Sequence, residues 1–168
     1  FENKFAQFVG CKYAVAVSNC SVGLQIACKV AGVKKGKSIV TSPITFVSSA
    51  NASLHNLGQI YLADTLSNNA NIDPKSIESI LKKKHNVKVI MPVHFGGSTC
   101  DMVKIHKIAK KNNLIIIEDA AHAFGSKYKN SNYVGSCIYS DMAVFSFHPV
   151  KTIATGEGGM ITTNNKIY

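Results

Sequence analysis

Val87-Lys-Val-Ile-Met-Pro-Val93 and Leu114-Ile-Ile-Ile-Glu118 flank a segment that Asp101 caps and that reads as a helix to about Asn112. This is strand, helix, strand. The second strand has no polar alternation, so it is expected to be covered on both faces. The same alternation extends in both directions. Upstream lie strands at Tyr13 to Ser18, Ser38 to Ser42 and Gln59 to Asp64. Between them, helices are predicted over Val22 to Val33, Phe46 to Leu57 and from Asn71-Ile-Asp-Pro74 to about Lys84. The last of these has a capping Asp and a Pro at the first helical position. Downstream, Met142 to Phe145 and Met160 to Thr163 are weaker strands. Such alternation predicts an α/β fold, a three-layer α/β/α sandwich around a mostly parallel central sheet. Folds of this kind bind ligands at the carboxyl ends of their strands.

The chain has 168 residues, enough for one core and marginal for two. With 46% hydrophobic and 17% charged residues it is not disordered in composition. No apolar run approaches the eighteen or so residues of a membrane span, and Phe1-Glu-Asn-Lys4 is not a secretory leader. The start reads as one cut from a longer chain. The formal charge of +10 is carried by Lys alone, because there is no Arg. Lysines cluster at Lys34-Lys35-Lys37, Lys82 to Lys84 and Lys107-Lys110-Lys111, near the predicted ends of helices, where the dipole favours them. A basic nucleic-acid-binding domain is therefore disfavoured: Arg, the usual reader of phosphates and base edges, is missing, and no basic-aromatic stripe occurs.

Cysteines stand at 11, 20, 28, 100 and 137, with no Cys-x-x-Cys pair. Neither a zinc site nor a disulfide framework is expected, and free thiols point to a reducing, cytoplasmic setting. Cys28 and Cys137 read as core residues. Gly36-Lys37-Ser38 imitates the end of a phosphate-binding loop. The first glycine of that motif would fall on Ala31, and here a helix precedes and a strand follows, the reverse of what the motif needs. It reads instead as a glycine helix stop. The stretch Lys127 to Gly135 is expected to be a polar, exposed loop.

Three segments just after predicted strands carry chemistry. Ser18-Asn-Cys-Ser21 offers hydroxyls and free helix amides, an anion seat. Glu118-Asp119-Ala-Ala-His122 ends an apolar strand with two carboxylates, which need partners if buried. Phe145-Ser-Phe-His-Pro-Val-Lys151-Thr152 puts a lysine between a strand and the Gly-rich Thr155-Gly-Glu-Gly-Gly159. A desolvated lysine is a nucleophile towards carbonyls. An amine, an acid and an anion seat are what a carbonyl cofactor with a ring nitrogen and a phosphate requires. That cofactor is pyridoxal 5'-phosphate.

Ser146-Phe-His-Pro-Val-Lys-Thr-Ile-Ala-Thr-Gly-Glu-Gly-Gly-Met160, with Glu118-Asp-Ala-Ala-His-Ala-Phe-Gly-Ser126 upstream, resembles the DegT/DnrJ/EryC1/StrS family of sugar-nucleotide aminotransferases. Thr41 to Asn51, Asn71-Ile-Asp73 and Pro92-Val-His-Phe-Gly96 match in the same order. The resemblance covers nearly the whole chain. It implies the large domain of the fold-type I pyridoxal-phosphate transferases, with residues 1–168 its central part and a small C-terminal domain lying outside this sequence.

By the same resemblance, Lys151 is the lysine that carries the cofactor and moves the proton. Asp119 keeps the pyridine nitrogen protonated, and Phe46 stacks on the ring. His122 lies near the ring oxygen, while Ser146 and Ser21 bind phosphate. Cys20 stands where the family has Gly, which raises the question of whether that position needs a positive φ. No role follows for His148. The implied reaction is transamination through a pyridoxamine 5'-phosphate form. The amino acid donor is expected to be L-glutamate, and the acceptor C4 of a UDP-4-keto-6-deoxy-hexose, as in pseudaminic acid biosynthesis. A dTDP- or GDP-linked keto sugar is the alternative acceptor. The resemblance also implies a homodimer with a shared active site, and neither nucleic acid nor membrane as partner. A catalytically inactive binding domain of the same fold is the rival from another class.

Overall fold

A computed structural model describes all residues, Phe1–Tyr168. Seven strands form one sheet: β1 Tyr13–Val17, β2 Ser38–Thr41, β3 Gln59–Leu62, β4 Val87–Met91, β5 Ile115–Asp119, β6 Met142–Ser146 and β7 Gly159–Thr163. Their order is β1-β7-β6-β5-β4-β2-β3. The run β6-β5-β4-β2-β3 is parallel throughout, whereas β7 is antiparallel to both β6 and β1. Each parallel strand, and β1 with them, therefore ends at the same edge.

The helices are α1 Glu2–Val9, α2 Cys20–Val30, α3 Ser48–Leu54, α4 Pro74–Lys83 and α5 Met102–Asn112. Side chains alternate across each strand, so neighbouring apolar residues feed two separate cores. Ile90, Ile116 and Phe145 join Ile77 of α4 and Ile105 of α5 on one face. Val89, Met91, Ile117 and Val144 join Leu24 and Ala27 of α2 on the other. This is why Leu114 to Ile117 lacks polar alternation: both of its faces are covered.

Several sequence expectations need adjustment. The helix α1 carries no strong start signal in the sequence and has no side-chain cap; Phe5 anchors it edge-on to Phe145, with ring centroids 5.1 Å apart. The helix expected from Phe46 begins only at Ser48, entered through a turn closed by the Ser49 N–H donating to the Phe46 carbonyl. The stop of α2 is Gly32 (φ +83°), whose N–H meets the Lys29 carbonyl, while Gly36 shapes the next turn. The loop 127–135 is not wholly exposed: Tyr128 and Val134 are buried. No helix is long and apolar enough to cross a membrane, and all five cysteines are free, with Cys28 and Cys137 buried as expected.

Candidate active site

At the carboxyl edge of the sheet lies a cavity of about 430 Å³. Cys20, Ser21, Phe46, Asp119, His122, Ser146 and Lys151 all line it. Four loops bring them together. The connection from β1 into the start of α2 supplies Cys20 and Ser21, and the turn before α3 supplies Phe46. The ends of β5 and β6 supply Asp119, His122 and Ser146, and the β6–β7 loop supplies Lys151.

The anion seat forms because Asn19 caps α2, its side-chain oxygen accepting from the Val22 N–H at 2.9 Å. The Ser21 hydroxyl shares a 2.6 Å hydrogen bond with that of Ser48, which joins the starts of α2 and α3. Cys20 is not among the residues with positive φ. The position therefore does not need glycine, and a side chain fits there. Burial, reinforced by the nearby Asp119 charge, pushes the Cys20 thiol well above its ordinary value, so it stays protonated.

The close approach at this seat comes from the opposite wall. A Cβ on Gly159 would sit 2.7 Å from the Asn19 carbonyl carbon and 2.9 Å from the Cys20 nitrogen. Backbone cannot yield as a flexible side chain does. Gly159→Ala is expected to cost about 1–3 kcal/mol of stability. It should also shrink the affinity advantage of pyridoxal phosphate over unphosphorylated pyridoxal, read by parallel titrations. An unchanged ratio would mean that the α2 start does not hold phosphate.

Asp119 is almost fully buried, at 4% exposure. Its Oδ2 accepts from the Ser49 hydroxyl at 2.6 Å and its Oδ1 from the Ala121 N–H at 3.1 Å. Sequence reading missed Ser49, since a serine inside a predicted helix carries no signal of its partner. His122 accepts the Gly96 N–H at Nδ1, 3.2 Å away. Its proton therefore resides on Nε2, a hydrogen-bond donor. Burial, and then the Lys151 charge, lower its proton affinity, so the ring is neutral near pH 7.

Lys151 rides on a loop closed at its neck by two bonds, Phe147 N–H to the Gly158 carbonyl and Thr155 N–H to the Phe147 carbonyl. His148 now has a visible part in this. Its carbonyl accepts the Lys151 N–H at 2.9 Å, and its Nδ1 accepts the Val150 N–H at 3.3 Å. It folds the turn that presents Lys151.

Glu118 points the other way from Asp119, into the core. With its partner His94 it has no exposed surface. His94 Nε2 lies 2.6 Å from Glu118 Oε2, the Tyr128 hydroxyl donates to the same oxygen at 2.6 Å, and the Ser140 hydroxyl donates to Oε1. Because His94 Nδ1 accepts the Cys100 N–H, its proton is on Nε2 and faces the carboxylate. Burial and the Glu118 charge push the Tyr128 phenol far up, so it remains a donor. The expectation that a buried carboxylate needs partners is met here by three donors from two connections, the loop after β4 and the β5–β6 segment.

The sequence profile of the DegT/DnrJ/EryC1/StrS aminotransferase family matches residues 1–168. The chain belongs to this family. It is 39% identical over 167 residues to a UDP-4-amino-4,6-dideoxy-N-acetyl-beta-L-altrosamine transaminase of Campylobacter jejuni, covering 99% of this chain and 43% of that protein. It is 41% identical over 166 residues to a GDP-perosamine synthase of Escherichia coli O157:H7, covering 99% of this chain and 44% of that protein. The crystal structure of an aminotransferase from Psychrobacter cryohalolentis superposes with a TM-score of 0.93 at 34% identity, covering 99% of this chain and 41% of that one. This DegT-family chain thus spans less than half the length of the relatives it matches. The α/β sandwich with its mostly parallel sheet is the fold of pyridoxal-phosphate-dependent aminotransferases, as the motifs had implied.

Proposed function

We propose that this chain is the central part of the cofactor-binding large domain of a pyridoxal-phosphate-dependent sugar-nucleotide aminotransferase, and that a small C-terminal domain completes the native protein. One observation carries the reading: an amine, Lys151, and a buried carboxylate, Asp119, line a single cavity that also includes the start of α2. The donor set suits the cofactor at each end. Asp119 can take the pyridinium N–H on lone pairs that Ser49 and Ala121 leave free. The α2 amides with Ser21 and Ser146 can take phosphate. Phe46, 70% exposed beside the cavity, has an unburied face for the ring.

The cofactor, when bound, supplies an electron sink for the charge left at a deprotonated substrate carbon. The chain's own residues do the rest. Lys151 holds the cofactor. It then removes a proton from Cα of the amino donor and, in the second half-reaction, delivers one to the sugar carbon that gains the amine. Asp119 holds the proton on the ring nitrogen. Neutral His122 offers its Nε2–H towards the ring oxygen, a donor whose direction Gly96 sets. The Campylobacter relative, by its name a transaminase of a UDP-linked 4-amino-4,6-dideoxy sugar, supports C4 of a UDP-4-keto-6-deoxy-hexose as acceptor; glutamate as donor and a step towards pseudaminic acid rest on the motif resemblance alone. The GDP-perosamine relative supports a GDP-linked 4-keto sugar as the second reading.

A homodimer with a shared active site is supported by apolar side chains that line the cavity and are left bare, Phe46 at 70% and Val150 at 77% exposure. Free thiols agree with the cytoplasm. Full-length protein should transfer the amine from glutamate fastest to a UDP-linked 4-keto sugar when UDP, GDP and dTDP compounds are compared by product mass. A preference for GDP would move the reading to the second substrate, and a preference for dTDP would reject both.

A further inference from the structure

Asp119 is not held by its own strand alone. The Ser49 hydroxyl has one proton, and three oxygens surround it: Asp119 Oδ2 at 2.6 Å, Thr45 Oγ1 at 2.6 Å and the Phe46 carbonyl at 3.2 Å. A carboxylate can only accept, so the strongest use of that proton is on Asp119. Ser49 oxygen then accepts from the Thr45 hydroxyl. The result is a directed chain, Thr45 to Ser49 to Asp119, in which each bond polarises the next. Ser49 has no exposed surface, so water cannot replace it. Thr45 and Phe46 are consecutive residues, and both line the cavity. The ring-stacking segment and the ring-nitrogen acid are thereby joined through one hydroxyl.

We infer that Ser49 is a positioning residue for the cofactor: its hydroxyl, backed by Thr45, orients the Asp119 carboxylate towards the pyridine nitrogen and ties it to the Phe46 segment. The inference rests on the cofactor reading above. Ser49 would touch neither cofactor nor substrate. It would act by keeping Oδ2 in one orientation in a nearly dry site. Around Asp119 stand Lys151 from the β6–β7 loop, His122 from the turn after β5 and Cys20 from α2, with Glu118 turned away on the other face. Among these, Lys151 is the one cation, and it is the group that engages the cofactor, which leaves Ser49 as the side-chain donor to the acid.

The test uses full-length protein and the isosteric pair Ser49→Val and Ser49→Thr, with Thr45→Val as the outer link. Apoprotein is titrated with pyridoxal phosphate, following the visible band of the lysine-bound cofactor, and melted without cofactor. Ser49→Val should bind at least about tenfold more weakly, the scale of one lost charge-assisted hydrogen bond. Ser49→Thr should restore the affinity, and Thr45→Val should show a smaller loss in the same direction. Equal affinities for the Val and Thr forms would overturn the inference. A Ser49→Val apoprotein melting far below the Thr form would also overturn it, since the hydroxyl would then be holding the fold rather than the acid. If the unsubstituted protein forms no band, the cofactor reading itself has failed, which is a separate outcome.

Discussion

Lys151→Ala in the full-length protein should abolish the visible band of bound pyridoxal phosphate and lower transamination by about 10⁴-fold or more. The argument is one of chemistry and place. No other lysine lines the cavity, so no second amine can take over attachment. The anion seat and Asp119 are built from other loops, and neither depends on the Lys151 side chain. The variant should still bind cofactor, but without the covalent link. Absorbance spectra before and after gel filtration separate the two states: wild type keeps its band through the column, while the variant elutes colourless. Added primary amines should restore a small part of the turnover. A variant that retained the band after filtration would show that the cofactor is attached elsewhere, and the assigned site would be wrong.

Glu118→Ala should cost about 3–5 kcal/mol of folding stability, the scale for removing one member of a buried, hydrogen-bonded pair. The loss is large because three donors lose one acceptor together. His94, Tyr128 and Ser140 each reach Glu118, from the loop after β4 and from the long β5–β6 connection. His94 and Tyr128 are buried and cannot turn to water. Denaturant unfolding should show the midpoint falling with little change in slope. Glu118→Gln keeps an acceptor oxygen and should recover part of the difference. The site should suffer as well, since the loop that His94 anchors also supplies the Gly96 N–H that sets the His122 tautomer. Equal stability of the Ala and wild-type proteins would mean that the cluster is satisfied without its carboxylate.

Much of the architecture was legible in the primary structure because period and punctuation are local. Strand-helix alternation needed only the spacing of apolar residues, and the caps Asp73 and Asp101 are where α4 and α5 start. The fully apolar Leu114 to Ile117 already required layers on both sides. The lysine and acid motifs were legible because they sit just after strands, where a parallel sheet places its ligands.

What the chain alone could not show are relations between loops distant in sequence. Nothing near Ser49 announces Asp119, seventy residues away. Nothing in the polar stretch from Lys127 to Gly135 announces that Tyr128 turns inward to meet Glu118. Side chains of adjacent residues on a strand point to opposite faces, so Glu118 and Asp119 look alike in sequence. One nevertheless ends in the core and the other in the cavity. Local chemistry therefore determined the elements and the reactive groups. Only the tertiary structure decided which group faces which, because burial and hydrogen-bond partners are properties of packing between segments.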